Sequence, residues 1–258
     1  MIIATSLALY VERDSLIHKM DPLTKIMYVI VSIAITYILP VHLFVITVTA
    51  ITIALLIIGK VFRKIFPIII LSLLLIISII IVQGAFHQSN ETVLFSIGVI
   101  SFYKEGLSYA LLLTLRVINM LCAFGVLILT TKSDELVERL IKIGMSPKIG
   151  YIILSVLQLI PQMRATVDKI TDAQRARGME TEGNLLVRTK AFIPLIGPVV
   201  LNTLNDTRER AIALEMRGFN MKHQKTFLNE TRLYRYQGII QLLLIVALIG
   251  TIIWRLFI

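Results

Sequence analysis

Ala173-Gln-Arg-Ala-Arg177-Gly178-Met179 and Ala213-Leu-Glu-Met-Arg217-Gly218-Phe219 are two copies of one short pattern, Ala-x-x-x-Arg-Gly-apolar, set 40 residues apart. Each reads as the end of a helix. Arg faces the partial negative charge of the carbonyl end, Gly takes the left-handed position after it, and an apolar residue follows to fold back. Both copies lie in a polar insertion, Thr131 to Tyr236, between an apolar run that ends at Thr130 and a last one over 237–258. A single copy is an ordinary carboxyl cap. Two copies with the same Ala spacing in one insertion suggest two matching docking points, at Ala176-Arg177-Gly178 and Met216-Arg217-Gly218.

The runs on either side set the class. Apolar residues make up 57% of the 258-residue chain, above the 45–50% or so of soluble domains, so the chain reads as a membrane protein. The net charge of +10 could point to nucleic acid, but its placement does not. Of 26 Lys and Arg, three fall in 1–25, three in 60–64 and seventeen in 131–236, the distribution of positive loops kept in the cytoplasm. The insertion also carries 11 carboxylates, so no nucleic-acid partner is expected. Cys122, the one cysteine, sits in an apolar run and can form no intrachain disulfide. Residues 1–10 lack a basic start and a cleavage site, so a cleaved signal peptide is not expected.

Asp21-Pro22 reads as a helix start, Asp capping and Pro at the first helical position. The apolar run from there to Ile58 is broken by Pro40-Val41-His42. As one helix it would reach roughly 55 Å against a hydrocarbon core of about 30 Å, so two spans with a turn at Pro40 fit better. A basic turn, Gly59 to Lys64, leads to a third run, Ile65 to Val82. The mixed stretch from Gln83 to Gly106 is expected at the outer interface, and Leu107 to Thr130 makes a fourth span. The fold expected is all-α, with about five transmembrane helices and a cytoplasmic domain of long amphipathic helices between the fourth and the last. The domain boundaries are 1–130, 131–236 and 237–258. Cation counting places the amino terminus inside and the carboxyl terminus outside.

Within the insertion, Asp134 to Ile143 reads as a short helix with Ser133 as cap. Ile149, Ile153, Val156, Ile160, Met163, Val167 and Ile170 then recur at steps of four and three, one sustained apolar stripe. Pro161 predicts a kink in its midst. Leu185 to Leu204, with Pro194 and Pro198, reads as a partly buried or interface-lying helix, and Asn205 to Met216 as a polar one carrying an Asp206–Arg210 pair.

Several chemistries find no support. Gly59-Lys60 is followed by Val61, with Ala at position 54, so a phosphate-cradling loop is missing and the chain has no ATPase site of that kind. His18, His42, His87 and His223 are scattered without cysteine or His-Glu-x-x-His partners, and no Gly-x-Ser-x-Gly elbow exists. No enzyme activity, cofactor or metal is expected in this chain. Arg116, inside the fourth span, is a functional candidate by position. It is read here as a tie between helices, through carbonyls or Asn119, rather than as a transport residue.

Asp14-Ser15-Leu-Ile-His18-Lys-Met-Asp21-Pro22-Leu-Thr-Lys25 resembles the entry to the first span in the transmembrane T component of energy-coupling factor transporters. Leu140-Ile-Lys-Ile-Gly144-Met-Ser-Pro147, Ile160-Pro161 and the two Arg-Gly ends follow in that family's order, so the likeness covers nearly the whole chain. Met216 departs from the usual Ala. The resemblance implies a bacterial cell-membrane scaffold joining two cytoplasmic ABC-type ATPases, which bind ATP and Mg²⁺, to a separate membrane subunit that captures a vitamin or a transition-metal ion. It also implies that Arg177 and Arg217 lodge in grooves of the ATPases. The apolar stripe reads either as ordinary core or as a partner face, Ile149 to Val167, and in the second case it is expected to reorient the capturing subunit. The competing class is a self-sufficient secondary transporter or channel, which would need charged or broken spans around a midplane site.

Overall fold

A computed structural model describes residues 10–11, 13, 15–86, 92–97, 100–179, 185–221 and 236–257. Among these the chain forms eight helices and one two-stranded hairpin. It divides into two compact units, Ala8–Arg139 with Glu230–Ile258, and Leu140–Asn229 with Met1–Leu7.

The first unit is built on five apolar helices where the sequence places apolar runs: α1 (Pro22–Ile38), α2 (His42–Ile58), α3 (Phe62–Phe86), α4 (Lys104–Thr130) and, after the insertion, α8 (Gln237–Phe257). The chain is an all-α membrane protein. Helices α3, α4 and α8 are long and apolar enough to cross a bilayer, whereas α1 and α2 have 17 residues each, a rise of about 26 Å.

Side-chain ties fix how these helices run. Lys25 Nζ on α1 donates to the carbonyl of Thr130 at the end of α4 (2.8 Å), and Arg116 Nε on α4 donates to the carbonyl of Thr36 near the end of α1 (2.9 Å). The two helices are therefore antiparallel. The α1–α8 ties, Asp21 to Gln237 and Thr24 to Gln241, make those two parallel. One end of the unit thus gathers Ile17, Val61, Thr130 and Gln237, and its apolar core there is Ile17, Leu56, Val61, Ile65, Cys122, Val126 and Leu129. At the other end Phe44 meets Trp254, with ring centroids 6.4 Å apart.

Between the ends, α1, α2 and α4 share a polar seam. Asn119, fully buried, accepts a hydrogen bond from Thr52 Oγ1 (2.8 Å) and donates Nδ2–H to Ser32 Oγ (3.0 Å), while the Tyr28 hydroxyl lies 2.7 Å from Thr52 Oγ1. In hydrocarbon such groups have only one another as partners, so the seam fixes register where apolar packing alone would let helices slide. Arg116 ends in the same place. Its guanidinium satisfies a carbonyl in the last turn of α1 and lies 4.8 Å over the Tyr37 ring. This supports its reading as a tie.

Close approach of α3 and α4 depends on Gly125, where an added Cβ would overlap Ile65 Cδ1. We expect Gly125→Ala to lower thermal stability in detergent. Overpacking a buried contact costs about 1–3 kcal/mol, only partly offset by the roughly 1 kcal/mol better helix propensity of Ala. Adding Ile65→Val, which deletes the obstructing Cδ1, should recover most of the loss. A single variant as stable as the parent would overturn this account of the packing.

Three features differ from the sequence reading. The mixed stretch after α3 contains a hairpin, β1 (Val93–Ile97) with β2 (Ile100–Tyr103), antiparallel, pairing Ile97 with Ile100 and Ser96 with Ser101. Glu105 on α4 holds its start, accepting from Thr92 N–H (3.2 Å) and Thr92 Oγ1 (2.5 Å). Asp21 occupies the cap position of α1 with Pro22 behind it, but its side chain makes no capping bond; the carboxylate is taken by Arg139 and Gln237. Asp14, quoted for its place in the entry motif, lies outside the described residues, while His18 clasps that segment, with Nε2 3.0 Å from the Val11 carbonyl and Nδ1 2.7 Å from Ser15 Oγ. A carbonyl can only accept, so neutral His18 carries its proton on Nε2 and Ser15 donates to Nδ1.

The third difference lies in the second unit. Helix α7 (Leu185–Met216) is one element of 32 residues that runs through Pro194 and Pro198, not two pieces meeting near 204. Each proline removes one backbone donor, and the turns on both sides keep theirs. Helix α6 (Pro147–Ala176) likewise continues through Pro161. Helix α5 (Ser133–Lys142) is the short helix expected, and the division between the two units falls within it.

Candidate partner-docking sites

Helices α6 and α7 form an antiparallel pair. Tyr151, in the first turns of α6, packs its ring 5.2 Å from that of Phe219, just past the end of α7, and Arg210 donates to Gln162 Oε1 along the pair. Arg210 therefore reaches across to α6, and no ion pair joins it to Asp206 as the sequence had suggested. Two exposed charges one turn apart on a helix attract by only a few tenths of a kcal/mol, which a hydrogen bond across the pair outweighs.

Both Arg-Gly ends have the same backbone geometry. At the first, Gly178 has φ +86°, its N–H donates to the Arg175 carbonyl (2.9 Å), and Met179 N–H donates to that of Gln174 (3.1 Å). At the second, Gly218 has φ +69°, with Gly218 N–H to the Glu215 carbonyl (2.9 Å) and Phe219 N–H to that of Leu214 (3.0 Å). The paired bonds satisfy carbonyls that the helix leaves open, and the positive φ is what requires glycine. Each Arg sits at the cap, one place beyond the last helical residue, rather than within the last turn. Both side chains are exposed, as are Ala176 and Met216, the latter at 85%. The α5 end closes with the same pair of bonds on Gly144, at φ +124°, with Ile143 where the others have Arg. The cap is thus a recurrent way of ending a helix here, and the guanidinium is what sets two of the three apart.

Because the pair is antiparallel, Arg217 lies beside the start of α6 and Arg177 at its far end, roughly 40 Å apart at the rise of an α-helix. Two cationic tips that far apart cannot share one small ligand. They suit two macromolecular surfaces.

Between the tips runs apolar surface. Ile149, Ile153, Val156, Ile160 and Met163 are exposed, while Val167 and Ile170 are half-buried. Ile152 and Leu157 widen this face, and Ile196, Val200, Leu201 and Leu204 give α7 an exposed apolar face of its own. The sequence reading missed that second face by weighing the prolines instead of the four-residue spacing of 196, 200 and 204. Contiguous exposed apolar residues on a unit with polar neighbours mark a surface meant to be covered.

The family model described as CbiQ, Cobalt transport protein, matches residues 13–227. Among curated proteins, the chain is similar to the energy-coupling factor transporter transmembrane protein EcfT of Clostridium kluyveri, at 29% identity over 96% of each chain. It is similar to the protein of that name from Lactococcus lactis at 26% identity over 95% of this chain and 96% of that one. The Bacillus subtilis EcfT matches at 29% identity over 81% and 83%.

Proposed function

This chain belongs to the CbiQ family of cobalt transport proteins, and from that premise we propose that it is the coupling subunit of an energy-coupling factor importer. Membership makes it a membrane transport protein related to EcfT. In the proposal, two ATP-binding cassette subunits, which bind ATP and Mg²⁺, grip Arg177 and Arg217, and a separate membrane subunit that captures a vitamin or a transition-metal ion rests on the apolar face from Ile149 to Val167. The chain contributes no chemistry of its own. Its task is mechanical: closure of the ATPase pair displaces the two tips, and the helices pass the displacement to the capturing subunit.

The observation that carries the reading is the pair of identical glycine caps, each presenting an exposed guanidinium, at opposite ends of an antiparallel helix pair. Arg at such a site can pair bidentately with a carboxylate while the helix behind it moves as a rod. Orientation follows from charge: the end of the membrane unit that gathers the basic 59–64 turn and both connections to the insertion would face the cytoplasm, with the carboxyl terminus outside. A self-sufficient transporter is disfavoured by Arg116, the cation in the apolar middle of α4, which is committed to Thr36 and Tyr37.

Affinity purification of the chain from native membranes in mild detergent, followed by mass identification, tests the proposal. Two ATP-binding cassette proteins, or two copies of one, together with a small integral membrane protein should accompany it in stoichiometric amounts. If the chain alone moves solute in liposomes without nucleotide, the proposal is wrong.

A further inference from the structure

The polypeptide leaves the membrane unit immediately after Arg139, and on its return the first described helix begins at Gln237. Both residues bind the same carboxylate. Arg139 Nε lies 3.0 Å from Asp21 Oδ1 and 3.2 Å from Oδ2, and Gln237 Nε2 donates to Oδ2 at 2.6 Å. Asp21 is 6% exposed, and both hydrogen bonds fall on Oδ2, with Oδ1 held by the ion pair alone. The next positions on that face of α1 continue the pattern: Thr24 Oγ1 accepts from Gln241 Nε2 (2.9 Å), and Lys25 Nζ caps the Thr130 carbonyl (2.8 Å). One turn of one helix thus holds the end of α4, the outgoing α5 and the incoming α8.

We propose that this turn is a transmission joint, in which Asp21, Arg139 and Gln237 act as positioning residues that pass displacement of the insertion to α1 and α8. The proposal rests on the coupling role argued above. Its physical basis is the link between α4 and α5, which is only Thr131-Lys132, with Thr131 in extended backbone (φ −119°, ψ 125°). Thr131 is buried and Lys132 lies 5.3 Å over the Tyr10 ring, so the link is partly held already and has only two residues' dihedrals with which to absorb a push. The Asp21–Arg139 pair, about two turns further on, restricts what is left, because α5 can then rotate only by carrying Asp21, and with it α1, along. With Asp21 buried and Arg139 partly exposed, such a pair adds little net stability against an apolar substitute, whereas it does fix geometry. Its placement at both crossings of the chain is what suits it to transmission.

The test uses the complete complex, purified through this chain, with spin labels at Leu74→Cys on α3 and Val246→Cys on α8, both exposed, and buried Cys122 left in place. The distance distribution is read without nucleotide and with ATP plus vanadate. The parent should show a nucleotide-dependent shift. In Arg139→Gln that shift should fall about threefold or more while the complex still assembles and hydrolyses ATP, the size of effect a coupling residue exerts away from either ligand. Arg139→Lys, which keeps the charge, should restore most of it. If Arg139→Gln does not assemble, Gln237→Ala, which loses one neutral hydrogen bond, should show a smaller loss in the same direction. A full shift in the variant that assembles, or none in the parent, overturns the joint. Failure of the coupling role itself is recognised separately: there, Arg177→Ala/Arg217→Ala retains its ATPases whatever Arg139 does.

Discussion

Arg177→Ala together with Arg217→Ala is expected to strip the ATP-binding subunits from the purified complex and to abolish nucleotide-driven uptake. Each guanidinium stands exposed at a helix end that its own backbone closes. Truncating it therefore leaves the helix intact and removes only what a partner would grip. Losing one member of a desolvated charge pair costs about 2–5 kcal/mol, so two such losses weaken docking by three orders of magnitude or more. Single variants should retain part of the ATPase complement, since one tip still holds. Arg→Lys at either site should rescue poorly, because an ammonium cannot pair bidentately. Circular dichroism of the double variant should match the parent, and undiminished ATPase retention by a well-folded double variant would refute the docking role of both tips.

Gly178 and Gly218 were legible in the sequence because a helix end is a local event. The Arg-Gly-apolar order dictates a left-handed residue and a fold-back, and the chain obeys it at both places. The apolar runs were equally legible, since hydrocarbon demands long uninterrupted stretches, and α1, α2, α3, α4 and α8 begin and end within a few residues of them. What escaped the reading is non-local. Asp21 looks like a cap in sequence, but Arg139 and Gln237, far away along the chain, compete for its carboxylate and win because a buried charge gains more from a cation than from one backbone N–H. The hairpin escaped because Val93 to Tyr103 is too short and too mixed to declare a period. Pro194 and Pro198 misled in the opposite direction. They argued for a break, yet each costs one hydrogen bond in a helix that has many.

The apolar stripe of α6 should separate the two classes of partner. Val156 and Ile160 are one turn apart, both exposed, and distant from either Arg-Gly cap. Val156→Glu with Ile160→Glu should release the membrane subunit while the ATPases stay bound. Burying two such aliphatic side chains contributes about 1.5–3 kcal/mol each, and a carboxylate forced into the same apolar contact costs several more, so a loss of at least a hundredfold in affinity is expected. The cost to α6 itself is small, because an exposed like-charged pair at this spacing destabilises a helix by only a few tenths of a kcal/mol. That asymmetry makes the measurement decisive: a helix that still folds but no longer keeps its membrane partner identifies the face, whereas retention of that partner would mean the stripe is covered by something else. If the ATPases left instead, the assignment of tips to engines and face to cargo subunit would be reversed. The physical division proposed here, charge at the ends for gripping and apolar area along the length for carrying, would then have to be given up.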